Sequence, residues 1–176
     1  LVVPMTVQPV IVSNDGQDPK ERWLEVGMSW FQHPEDWAAI PVADGPSSWQ
    51  KISAVVDLNR RQGEPKDPSR RVDIVVPSEQ INVTNLSPVR ISDTVLEDES
   101  LSFRVDQVGV PVLVRMSYFP NWKVDGAKGP YRVAPNMMVV VPTENDVRLH
   151  YGYTFVDFFA YFLTLCGDRK STRLNS

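Results

Sequence analysis

Residues 89–118 read VRISDTVLEDESLSFRVDQVGVPVLVRMSY, and the alternation along this stretch decides the fold class. Val89, Ile91 and Val95 are interleaved with polar residues; Leu101, Phe103 and Val105 repeat the pattern, and Val112, Val114, Met116 and Tyr118 repeat it again. Period-two spacing puts each set on one face of a half-buried antiparallel strand. Met137, Val139 and Val141, then Val147, Leu149 and Tyr151, extend the series. Turn-forming residues separate the runs at Glu97-Asp98-Glu99, Gln107-Val108-Gly109, Asp125-Gly126, Ala134-Pro135-Asn136 and Thr143-Glu144-Asn145. Short strands and turns at this spacing predict a mainly β chain whose residues 89–151 form an antiparallel, jelly-roll-like β-sandwich.

Upstream, residues 1–77 read as an N-terminal segment of strands and one amphipathic helix. Leu1 to Ser13 suits one or two short strands interrupted by proline, and Asn14-Asp15-Gly16 is a turn signal. Asp18-Pro19-Lys20-Glu21 has capping-box spacing with proline at the first helical position, so a helix starts there. Trp23, Gly27, Trp30 and Phe31 fall on one helical face and are expected to pack on a sheet. Pro34 stops the helix, and His33 to Trp37 suits one further turn. Ala43 to Ser48 reads as a loop, Ala54 to Leu58 as a strand, Asn59 to Arg71 as a charged solvated connection, and Val72 to Pro77 as another strand.

The composition excludes several function classes. Lys and Arg total 18 against 22 Asp and Glu, with both signs scattered, so no basic stripe exists to follow a phosphate backbone and nucleic acid is not an expected partner. His33 and His150 lack accompanying Cys or clustered carboxylates in sequence, which predicts no metal site and no cofactor. The single cysteine, Cys166, has no intrachain partner and reads as a small apolar residue. There is no P-loop, no G-x-G-x-x-G and no G-x-S-x-G elbow. Glu35-Asp36 beside His33 is the nearest approach to an acid/base cluster, and polar surface around a turn is the expected reading.

The chain starts inside an apolar stretch, LVVPMTVQPVIV, without the features of a signal peptide, so Leu1 is expected to mark a cut. The apolar run after Tyr153, through Cys166, is shorter than the roughly 20 residues of a membrane span. Residues 153–167 are therefore expected to be the start of a truncated transmembrane helix. The closing DRKSTRLNS, residues 168–176, resembles a translated sequencing-library adapter, and the expectation is an artefact joined to a fragment.

The stretch from Val112 to Gly167 carries a resemblance through Tyr118, Phe119, Pro120, Trp122, Lys123, Asp125, Gly126, Val133, Asn136, Val141, Pro142, Val147 and Tyr151. It resembles the C-terminal extracytoplasmic domain of bacterial multispanning membrane proteins of the YfhO type and their GT-C-like glycosyltransferase relatives. The resemblance implies a domain on the outer side of the bacterial cell membrane, partnered by membrane helices of the same parent chain and by a lipid-linked sugar or envelope glycan. It brings no catalytic residue, because the family's catalytic carboxylate is expected in an early loop outside this chain. The implied role is non-catalytic: supporting the membrane part or orienting its glycan.

A carbohydrate-binding module is the alternative. Tyr118, Trp122 and Tyr131 are the candidate substrate-binding residues, since aromatic faces stack on sugar rings. The competing reading buries Tyr118 and Trp122 in the core or at the membrane hinge. Exposure discriminates: open rings on one concave face favour glycan binding, and a buried Trp122 favours support.

Overall fold

The computed structural model describes residues 1–13, 19–60 and 73–152. Among the described residues the chain is mainly β, with two sheets and one α-helix. In chain order the elements are β1 (Val2–Pro4), β2 (Val10–Ser13), α1 (Pro19–Gln32), β3 (Pro41–Val42), β4 (Lys51–Val56), β5 (Val75–Pro77), β6 (Ile91–Leu96), β7 (Ser100–Val105), β8 (Val112–Val114), β9 (Trp122–Asp125), β10 (Ala127–Val133), β11 (Met137–Pro142) and β12 (Asp146–Tyr151). Short 3-10 turns cover Pro34–Asp36, as the sequence predicts, and Leu58–Arg60.

One sheet has eight strands in the order β1-β8-β11-β10-β3-β2-β4-β5, and the other has four in the order β6-β7-β12-β9. The larger sheet thus takes β1 to β5 from before residue 78 and β8, β10 and β11 from after residue 89. Among the described residues parallel pairing is confined to β2 with β3 and β2 with β4, where α1 makes the crossover; the other strand pairs are antiparallel. A parallel neighbour needs a connection that returns to the same end of the sheet, and a helix of this length provides it.

Alternation explains three apolar clusters. Leu101, Phe103 and Val105 of β7 with Val147 and Leu149 of β12 share one buried cluster with Val112 and Val114 of β8 and Met138 and Val140 of β11, so strands of both sheets contribute to one apolar core. On the same face of the larger sheet, Val10, Val12, Ile52 and Ala54 meet Trp23 and Val26 of α1. The opposite face carries Ile11, Val42, Val133, Val139 and Val141, with Trp49 laid against them from the loop before β4. Strand β11 is therefore buried on both faces, Met138 and Val140 on one and Val139 and Val141 on the other, and not half-buried as its alternation suggests.

Helix α1 buries Trp23, Val26, Gly27 and Ser29 and half-buries Trp30, whereas Phe31, expected on that face, is 69 % exposed. The approach to the sheet is centred on Gly27: an added Cβ would lie 3.1 Å from the Pro135 carbonyl oxygen. That centre turns the buried arc toward Val26 and Ser29 and leaves Phe31 outside it. The expected strand at Ala54 to Leu58 forms earlier, at Lys51–Val56, because Ile52 and Ala54 supply the inward positions. Strand β6 pairs with β7 but stays largely exposed, Val95 included, with a register shift between Ser92 and Val95 where Asp93 adopts a left-handed φ of 51°. The bulge rotates the strand's second half away from the core.

All the turn segments read between the alternating runs do separate consecutive strands. No helix among the described residues is long and apolar enough to cross a membrane. The expected cap at Asp18, the turn at Asn14-Asp15-Gly16, most of the charged connection, the apolar run of 153–167 and the terminal 168–176 lie outside the described residues.

Candidate functional site

Trp122 opens β9 and is 8 % exposed, packed in the cluster shared by the two sheets. Its ring meets Tyr151, its register partner at the end of β12, edge to face with centroids 5.8 Å apart. Tyr118 lies in the connection after β8, half-buried against the same cluster. Tyr131 is on β10 but faces the other side of the larger sheet, where it makes an edge contact with Trp49 at 5.6 Å. The sheet thus separates Tyr131 from Tyr118 and Trp122. Burial and the neighbouring Asp44 carboxylate push the Tyr131 phenol above its ordinary value.

Tyr118 instead belongs with Trp23, Arg132 and Asn136. Next to Tyr131 along β10, Arg132 points to the opposite face, as strand alternation requires. Its guanidinium lies 5.5 Å from the Trp23 ring centroid and 5.9 Å from that of Tyr118. Arg132 Nε donates to Asn136 Oδ1 at 2.8 Å. The backbone N–H of Tyr118 donates to the Asn136 carbonyl at 2.9 Å, and the Trp23 indole N–H donates to the Pro135 carbonyl at 3.2 Å. A helix, the turn between β10 and β11 and the segment after β8 thereby converge on one cation. Desolvation lowers the Arg132 pKa from its usual value, with Tyr118 acting the other way as the smaller cause. Nothing in the linear pattern singles out Arg132; its signal is an arginine at an inward strand position, flanked by apolar Val133 and Tyr131.

Two polar clusters at the described surface bear on metal or ligand binding. His33 Nδ1 lies 3.2 Å from Glu35, and ligand atoms of His33, Glu35 and Asp36 all fall within 4.8 Å of one another, a spacing that could hold a cation. Arg60, however, grips both oxygens of Asp36 and lies 3.2 Å from Asp57, and the Asp36 hydrogen bond raises the Arg60 pKa. An incoming metal would have to displace that guanidinium, so the set fits a fastening between the turn after α1 and the end of β4 better than a metal centre. The second is an open depression of about 700 Å³ beside the end of β12, where Glu97, Asp98, Glu99 and Asp125 face Arg148 and His150. His150 Nδ1 approaches Asp125 at 3.3 Å there. Its breadth lets water screen these charges.

Comparison with protein families, with curated proteins and with solved structures yields no match.

Proposed function

We propose that this chain is a non-catalytic extracytoplasmic domain, a jelly-roll-like β-sandwich extended by a helix-bearing segment, of a bacterial multispanning membrane protein resembling the YfhO-type and GT-C-like envelope glycosyltransferases. Its role in this reading is to support the membrane part or to orient its glycan substrate. The observation that carries it is the placement of Trp122: the ring is closed into the core and braces Tyr151, the residue that ends β12 shortly before the apolar run through Cys166. A sugar platform needs an open aromatic face, whereas a brace at the point where a strand leaves a domain transmits orientation to the next segment of the chain. The sandwich description draws support from the apolar cluster shared by the two sheets.

The test is cysteine accessibility in intact bacteria expressing the complete coding sequence. In a background where every cysteine of that sequence, Cys166 included, is replaced by serine, Glu144→Cys introduces a thiol at an exposed turn. Labelling by a membrane-impermeant maleimide in unbroken cells is the expected result. Labelling only after lysis would overturn the extracytoplasmic placement. Reading the gene past the codon for Gly167 checks the membrane connection separately: the reading requires an apolar span that continues.

The carbohydrate-binding alternative keeps one observation in its favour, the exposed Phe119 beside half-buried Tyr118. Loss of glycan retention on Phe119→Ala, with stability unchanged, would support it.

A further inference from the structure

Between α1, the segment after β8 and the turn from β10 to β11 lies a cation whose donors are only partly used among the described residues. Arg132 lies on the face of the larger sheet that carries both coverings: its register partner Met138 is buried in the cluster between the sheets, and Trp23 is buried in the cluster under α1. A guanidinium has five N–H donors in one plane. The Trp23 and Tyr118 rings lie at cation–π distance from the guanidinium carbon, 5.5 and 5.9 Å, and Asn136 takes the Nε donor. The terminal Nη1 and Nη2 groups form no hydrogen bond or ion pair among the described residues. Two other described arginines lie against carboxylates: Arg60 has Asp36 and Asp57, and Arg104 lies 3.4 Å from Asp146.

We propose that Arg132 is the centre of an oxyanion-binding site, in which its two terminal nitrogens take a carboxylate or phosphate group in a forked contact while Trp23 and Tyr118 wall the ligand's approach. The chemistry follows from the geometry. Aromatic faces compensate the charge of a cation but offer no acceptor for its in-plane N–H groups. A planar oxyanion supplies two acceptors at the spacing of the fork, with charge-assisted bonds roughly twice as strong as neutral ones. Asn136 holds the guanidinium at Nε and the two rings flank it before the ligand arrives, so less side-chain freedom is lost on binding. The lowered pKa agrees with a partly desolvated cation that gains from a counter-charge. This site is independent of the membrane placement proposed above.

The experiment is an NMR titration of the full 176-residue chain, reading the Arg132 Nε–H and Trp23 indole N–H resonances. Sodium acetate and inorganic phosphate are the probes, sodium glucuronate and glucose extend them to sugars, and sodium chloride controls for ionic strength. Saturable shifts at both resonances with the oxyanions, with a Kd in the millimolar range of a single contact, are expected, and glucose and chloride should leave them unmoved. A stronger response to acetate and glucuronate identifies a carboxylate ligand, and a stronger response to phosphate identifies a phosphorylated one. Arg132→Lys should weaken binding at least tenfold, because the ammonium keeps the charge but loses the fork. If that variant fails to fold, Asn136→Asp serves instead: its own carboxylate occupies the guanidinium and should weaken oxyanion binding to a similar degree. Oxyanion shifts no larger than those with chloride, or affinity unchanged in a folded Arg132→Lys or Asn136→Asp protein, would overturn the proposal and leave Arg132 as a staple between helix and sheet.

Discussion

Ser29 is a hydroxyl in the buried face of a helix, and its replacement tests how α1 is fastened to the sheet. The residue is fully buried, and its Oγ accepts a hydrogen bond from the backbone N–H of Val75 at 2.8 Å. Val75 begins β5, the terminal strand of the larger sheet, so one side of its backbone has no neighbouring strand to bond. Ser29→Ala removes the acceptor and leaves a buried N–H without a partner, which costs about 1–3 kcal/mol. Alanine regains roughly 0.5 kcal/mol of helix propensity over serine. The net is a loss of about 0.5–2.5 kcal/mol, and for a chain of this size each kcal/mol lowers Tm by about 2–4 °C. Urea unfolding followed by tryptophan fluorescence should show a lower midpoint with unchanged m, and the Val75 amide should exchange faster with solvent in the variant. Met28→Ala, on the outer face of the same helix, is the control and should change stability by less than about 0.5 kcal/mol. Equal or higher stability of Ser29→Ala, with the Val75 amide still protected, would refute the view that this hydroxyl ties helix to sheet.

Gly126→Ala should be far more damaging, because Gly126 has a φ of +72° and an added Cβ would meet the Asp146 carbonyl oxygen; thermal melting should show a loss beyond the about 1–2 kcal/mol of the left-handed backbone alone. Leu101 and Leu149 face each other in register and are fully buried, so either change to Ala should cost about 2–5 kcal/mol in denaturant unfolding. Their double variant should depart from additivity, as contacting residues do. Phe31→Ser should alter stability by less than about 0.5 kcal/mol, whereas Trp23→Ala should cost about 3–5 kcal/mol. Tyr131 has a raised pKa in the folded state, so its contribution to stability is fully present below the usual value of 10.0 and is lost as pH rises through the folded value. Asp44→Asn should lower the Tyr131 pKa without returning it to 10.0, because burial is the larger cause; ring-labelled tyrosine NMR reads the change.

Legibility followed the range of the physical signal. Strand β7 was readable because Leu101, Phe103 and Val105 alternate with polar residues and all three are buried on one face. Strand β10 was not, since AKGPYRV contains Gly129 and Pro130, which signal a turn; in the sheet they sit at a register shift, with Gly129 at a φ of +108°. Bulges accommodate these residues inside a strand, and their local chemistry looks the same in both settings. Tyr118 was singled out for its aromatic ring, but its partner Arg132 was not, because the two lie far apart along the chain and meet only through the turn at Pro135 and Asn136.

The sequence by itself determined the β-rich character, the places where the chain turns and the two ends of α1, since alternation, turn residues and proline act within a few neighbouring residues. Only the tertiary structure decided that β1 pairs with β8, that β2 runs parallel to β3 and β4, and that β11 is buried on both faces. It also decided that Ser29 and not Phe31 lies beneath the helix, and that Trp23 and Tyr118 close on Arg132. Periodicity states which side of an element avoids water. What covers that side depends on how every apolar face in the molecule is matched at once, and no local window contains that information.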